Sequence, residues 1–135
     1  MITPELERRL LDERIAWLTI VRNDGMPLPT PVWFVWRDDG FLMYSQPAAL
    51  KVRAIAQNPN VSLHFNSDPT GEYFVVAQCR AEVDPSAPSS LALPEYQDKY
   101  RELIALIGFT PERLAAEFSL PIRLTPLRWR VQLPA

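Results

Sequence analysis

Histidine and cysteine each occur once in 135 residues, as His64 and Cys79, and glycine occurs only four times. A lone cysteine closes no internal disulfide, and one Cys with one His gives none of the spacings that hold zinc. So few glycines leave no room for a phosphate-cradling glycine-rich loop. His64 falls on the alternate face of a strand and Cys79 on the apolar face of another, so both read as structural residues. No local motif supports a cysteine–histidine nucleophile. Long apolar runs are missing too: none approaches the ~18 residues of a membrane span. The first stretch, MITPELERRLLDER, is charged throughout, unlike a signal peptide. Together with the single cysteine, this places the chain in the expectation of a reducing cytoplasm. A formal net charge of −2 argues against broad nucleic-acid binding. Arg123, Arg128 and Arg130 form a terminal stripe that would suit RNA, but the acidic balance weighs against that use.

What is present is ordinary globular composition, 47% hydrophobic and 22% charged, sufficient for one core and a single domain over residues 1–135. Thr3 to about Arg14 has the pattern of a helix, with Thr3 as cap, Pro4 in the first turn, and Leu6 and Leu10 on one face. IAWLTIVR (15–22) is apolar on both alternating faces, as in a strand covered on both sides. The Asn23-Asp24-Gly25 turn leads into a second run, Met26 to Arg37, and Asp38-Asp39-Gly40 turns into Phe41–Ser45. Prolines stand at 27, 29 and 31, a spacing of two, so all the missing N–H donors lie on one edge. That edge either protects the sheet against aggregation or marks where the sheet parts to meet a ligand.

The stretch YSQPAALKVRAIAQNPN (44–60) ends a strand and starts a helix, with Leu50, Ala54 and Ile55 as its buried side and Ser45 placed either to cap it or to offer its hydroxyl to an anion. Lys51 stands one turn in, where a cation opposes the helix dipole unless an anion binds there. Lys51 and Arg53 lie on different faces and form no single clamp. Val61, Leu63 and Phe65 alternate inward on the next strand, as do Tyr73, Val75, Ala77, Cys79, Ala81 and Val83 on the one after. Residues 84–94 are a Pro/Ser-rich loop. A helix from Glu95 to Ile107 carries the stripe Tyr96, Tyr100, Leu103, Ile107 and stops at Gly108. Thr110-Pro111 opens another short helix. The last strand, Ile122–Gln132, changes phase at Pro126, where a bulge would turn Leu127, Trp129 and Val131 inward. About six strands with short turns and few helices imply a closed antiparallel barrel with helices outside.

FLMYSQPAALKVRAIAQNPNVSLHF resembles the core of the pyridoxamine-phosphate-oxidase-like superfamily, with Tyr44, Ser45, Lys51, Asn58, Pro59 and Val61 matching in order and spacing. The similarity extends from IAWLTIVRNDGMPLPTPVWF through VAQCRAE to IRLTPLRWRV, and is greatest to the small branch that uses the deazaflavin coenzyme F420. The resemblance implies a mainly β fold, a six-stranded antiparallel split barrel of the FMN-binding type, and a homodimer with its cofactor site at the interface. It also implies that Pro31, Val32 and Trp33 flank the cofactor ring, that Tyr44 and Ser45 line the ribityl-phosphate path, and that Lys51 holds the phosphate of F420 or FMN. Trp129 or its neighbours would reach the partner's cofactor. Basic residues that pyridoxamine phosphate oxidases carry on the second strand are replaced by Pro29 and Phe34, and the Arg before the helix Lys by Leu50. The expected activity is therefore hydride transfer between F420 or FMN and a small conjugated organic substrate, and not pyridoxamine phosphate oxidation. The competing expectation is a non-catalytic flavin or deazaflavin carrier.

Overall fold

A computed structural model describes residues 2–134. Met1 and Ala135, the bounds of the expected domain, lie outside the described residues. Helix α1 (Pro4–Asp12) begins as its sequence dictates: Thr3 Oγ1 accepts the Leu6 N–H at 3.2 Å, and Leu6 and Leu10 are buried. The strands are β1 (Ala16–Val21), β2 (Pro27–Val32), β3 (Val35–Arg37), β4 (Gly40–Ser45), β5 (Asn60–His64), β6 (Phe74–Val83) and β7 (Leu120–Gln132). All join one sheet in the order β2-β1-β5-β6-β7-β4-β3, every pair antiparallel.

Seven strands replace the expected six because the run from Met26 to Arg37 breaks at Trp33-Phe34. Only those two residues separate β2 from β3, yet the two strands sit at opposite ends of the sheet and do not pair. The sheet curls around its core without closing, as the split barrel implied by the resemblance requires and unlike the closed barrel read from the strand pattern alone. The prolines fit this arrangement. β2 pairs with β1 along one edge, and Pro27, Pro29 and Pro31 are all exposed. An edge without N–H donors cannot be completed by another strand.

Alternation sets the inner core: Leu18 and Ile20 of β1, Leu63 of β5, Val75 and Ala77 of β6, and Leu124 of β7 all face inward with Phe34 and Phe41. The outer face of β1 is only half-buried, contrary to the expected double cover; there Trp17 stacks on His64 with centroids 6.5 Å apart. β4 is buried along its whole length. Phe41 and Met43 point into the curl, while Leu42 and Tyr44 meet a second core built by helices α3 (Pro94–Leu106) and α4 (Pro111–Glu117). The stripe of α3 is Tyr96, Tyr100 and Ile104; Leu103 is half-buried, and Ile107, expected inside, is the exposed C-cap residue. Gly108, at φ +80°, turns the chain into α4, which Thr110 caps.

Helix α2 (Leu50–Gln57) lies over β1 and β6 and buries Ala54 and Ile55. The bulge appears where the phase change placed it: Gln78 faces Arg128 and Cys79 faces Pro126, leaving Leu127 unpaired. Beyond it the expectation holds only for Trp129, which is half-buried against the inner core, whereas Leu127 and Val131 are exposed. Val83, at the end of β6, is exposed as well.

Candidate functional site

The break between β2 and β3 opens onto a cavity of about 270 Å³. Pro31, Val32 and Trp33 line it together with Met43 and Tyr44 of β4 and Lys51 of α2. The α3–α4 corner contributes Tyr96, Ile107, Phe109 and Phe118 to the lining. Five of the seven residues expected at the site therefore meet around one space: Pro31, Val32, Trp33, Tyr44 and Lys51. The two others do not line it. Ser45 ends β4, is 1% exposed, and donates its hydroxyl to the Gln46 carbonyl at 2.9 Å. Trp129 packs within its own chain against Trp36 at 6.0 Å and Phe41 at 6.1 Å.

Ser45 fails as a helix cap because α2 starts later than the sequence implies. The Ala49 N–H bonds the Gln46 carbonyl in a turn that precedes the helix, and Ala49 becomes a cap with no side-chain acceptor. Lys51 is then the second helical residue, at the uncapped end and not a turn inside. It also borders a smaller cavity of about 100 Å³ beneath β1 and β2. Burial lowers its pKa, and no acidic side chain offsets that shift. A half-buried ammonium with no acidic partner among the described residues, at a helix start without a side-chain cap, fits an anion. Arg53 points elsewhere and donates to the Ala48 carbonyl at 2.8 Å.

The aromatic wall fits a planar ring. The Trp33 ring lies parallel to that of Tyr100, with centroids 4.7 Å apart and planes 4° apart. Tyr44 donates its hydroxyl to the Pro88 carbonyl at 2.7 Å, and burial pushes its pKa up to about 12. Burial also raises Tyr96 well above the usual range. Both phenols stay protonated at neutral pH, so neither serves as a base. Burial likewise pushes the Cys79 thiol up to about 12, which removes it as a nucleophile. Among the described residues no cluster of His, Cys, Asp and Glu could hold a metal ion.

A larger groove, about 530 Å³, runs between the Arg22–Asp24 turn and α2, but no aromatic residue lines it. Arg22 there pairs with Asp24 at 3.2 Å, so the smaller, aromatic cavity is the better candidate for a ring-bearing ligand. The contribution of Ile107, Phe109, Leu114 and Phe118 to that cavity had no sequence signal. These residues arrive through packing of α3 and α4 on β4, which joins positions far apart in the chain.

Among the described residues no helix is long and apolar enough to cross a membrane. No curated protein matches the chain. Solved structures similar to it include a conserved hypothetical protein from Mycobacterium tuberculosis, 18% identical with a TM-score of 0.78, covering 100% of this chain and 90% of that one. Another is an F420 reductase, 22% identical with a TM-score of 0.65, covering 93% of this chain and 96% of that one. A third is a heme storage protein from Vibrio cholerae, 18% identical with a TM-score of 0.67, covering 96% and 94%. At these identities the likeness is one of fold. The family model described as pyridoxamine 5'-phosphate oxidase matches residues 2–131, nearly the whole chain, and the chain belongs to that family.

Proposed function

We propose that the cavity binds the ring of coenzyme F420 or FMN, that Lys51 and the first turn of α2 hold its phosphate, and that the protein is an oxidoreductase acting on a small conjugated organic substrate. The observation that carries this reading is Lys51: a half-buried cation with no acidic partner among the described residues, at a helix start without a side-chain cap, lining an aromatic cavity. When bound, the cofactor supplies the hydride chemistry. The chain's own residues bind and orient. Trp33 and Tyr44 present apolar surface to a planar ring, Met43 and the α3–α4 corner keep water out, and Lys51 fixes the charged end. One of the similar folds is named an F420 reductase, which is compatible with the deazaflavin.

The exposed end of β7, with Leu127 and Val131, supports a homodimer in which a second copy covers that surface and completes the site. A carrier without catalysis is the second reading, favoured by one observation: neither phenol that lines the cavity, Tyr44 or Tyr96, can act as a base at neutral pH. Assays of a substrate panel with purified protein and each reduced cofactor separate the two. Turnover supports the oxidoreductase; saturable binding without turnover of any substrate supports the carrier.

A further inference from the structure

Side chains of α3 grip one residue beside the cavity from two directions. Tyr100 is fully buried, and its hydroxyl accepts the Phe34 N–H at 2.8 Å. The phenol oxygen is also within donating distance of two carbonyl oxygens, that of Arg14 at 2.7 Å and that of Phe34 at 2.9 Å. Lys99 donates Nζ–H to the same Phe34 carbonyl at 2.8 Å, with its ammonium 3.8 Å from the centre of the Phe34 ring. Phe34 lies in the gap between β2 and β3, and α3 supplies partners for both of its backbone groups. The neighbouring residue is Trp33, whose ring rests on Tyr100 and lines the cavity.

We propose that Lys99 and Tyr100 are positioning residues that clamp the Trp33–Phe34 step to α3, fix the Trp33 ring in the cavity wall, and make its placement depend on the proton carried by Lys99. The proposal deepens, and rests on, the reading of this cavity as the cofactor site. Tyr100 sets the ring plane by stacking and the backbone by its hydroxyl. Lys99 adds a charge-assisted bond, about twice as strong as a neutral one, and a cation–π contact that vanishes when the amine is neutral. Burial brings its pKa down to about 8, so the change falls within ordinary buffer range. Asp12 and Glu13, at the end of α1, pull that value up and Arg14 pushes it down. Glu13 is already paired with Arg9 at 2.6 Å. On α3 itself Glu95 and Glu102 stand at i−4 and i+3. Tyr100 is raised far above this range by burial and stays protonated throughout.

The test labels the protein with 5-fluorotryptophan and assigns the Trp33 fluorine resonance with Trp33→Phe. In the parent that resonance moves with a midpoint near pH 8. Lys99→Met, which keeps the apolar stem, abolishes the transition, and Lys99→Arg, always charged, holds Trp33 at its low-pH position. A Trp33 resonance that does not titrate in the parent, or that still titrates in Lys99→Met, overturns the clamp; the second result would point to Lys51. A parallel titration with FMN and F420 on either side of the midpoint should show up to about tenfold tighter binding below it in the parent. In Lys99→Met that pH-dependent difference should be absent. Equal pH dependence of binding in parent and Lys99→Met also overturns the proposal. If neither cofactor binds to the parent, the cofactor reading fails, and the fluorine titration alone still decides the clamp.

Discussion

Lys51 carries more of the account than any other residue. Free of ligand it is a cation near the positive end of a helix dipole, partly desolvated and without an acidic partner. Its folded pKa is lowered, so the sign is unfavourable: the fold bears a cost at neutral pH, and that cost fades as pH rises through the lowered value. Lys51→Ala should therefore leave the ligand-free melting temperature unchanged or raised. A bound phosphate reverses the sign, and losing one charge-assisted contact of roughly 1.5–3 kcal/mol should weaken cofactor affinity about tenfold to a hundredfold. Fluorescence titration beside melting curves checks both halves, and equal affinities would remove Lys51 from the site. Ser45 gives the opposite expectation. Its hydroxyl is spent on the Gln46 carbonyl away from the cavity, so Ser45→Ala should cost about 1 kcal/mol of stability in a denaturation curve and leave cofactor affinity unchanged. A large loss of affinity would return Ser45 to the phosphate path.

At the scale of elements, α3 shows what periodicity can and cannot reveal. The Tyr96–Tyr100 spacing was legible, yet the stripe continues with Ile104 and not with Leu103 and Ile107: Leu103 is only half-buried, and the helix ends at Leu106, which leaves Ile107 exposed at the cavity. Ile104→Ala should therefore cost about 2–5 kcal/mol, read as a clear drop in melting temperature. Ile107→Ala should cost little stability and act on ligand affinity instead. Similar stability losses in both variants would contradict this division. Caps and turns, such as Thr3, Thr110 and Asn23-Asp24-Gly25, were readable because they are local. The exact place of the break at Trp33-Phe34 was not, since the Tyr100 hydroxyl that takes the Phe34 N–H there comes from 66 residues away in the chain. The late start of α2 was hidden for a related reason: Ser45 is as good a cap as any by composition, and only burial of the end of β4 removes it from that role.

For the whole molecule, the split sheet explains how a chain this short makes a cavity at all. Closing β2 onto β3 would fill the space that Trp33 and Lys51 now border, and the proline edge prevents it. The same plan leaves β7 running past β4 with Leu127 and Val131 uncovered. Sedimentation at micromolar concentration should therefore find a dimer, and Leu127→Asp should shift it toward monomer; a parent that sediments as a monomer would remove the shared site. Five of seven expected residues surround the cavity because their spacing on β2, β4 and α2 survives folding as proximity. Trp129 lies outside this set: within the chain it packs against Trp36 and Phe41. The central claim, that this cavity holds a phosphorylated flavin or deazaflavin, is tested most directly by titrating the purified parent protein with FMN and with F420 while following fluorescence, alongside the absorbance spectrum and mass of any molecule that copurifies. The account predicts saturable binding of at least one of the two, lost or weakened in Lys51→Ala. Absence of binding by both up to roughly millimolar concentration, an affinity worth no more than about 4 kcal/mol, would contradict it.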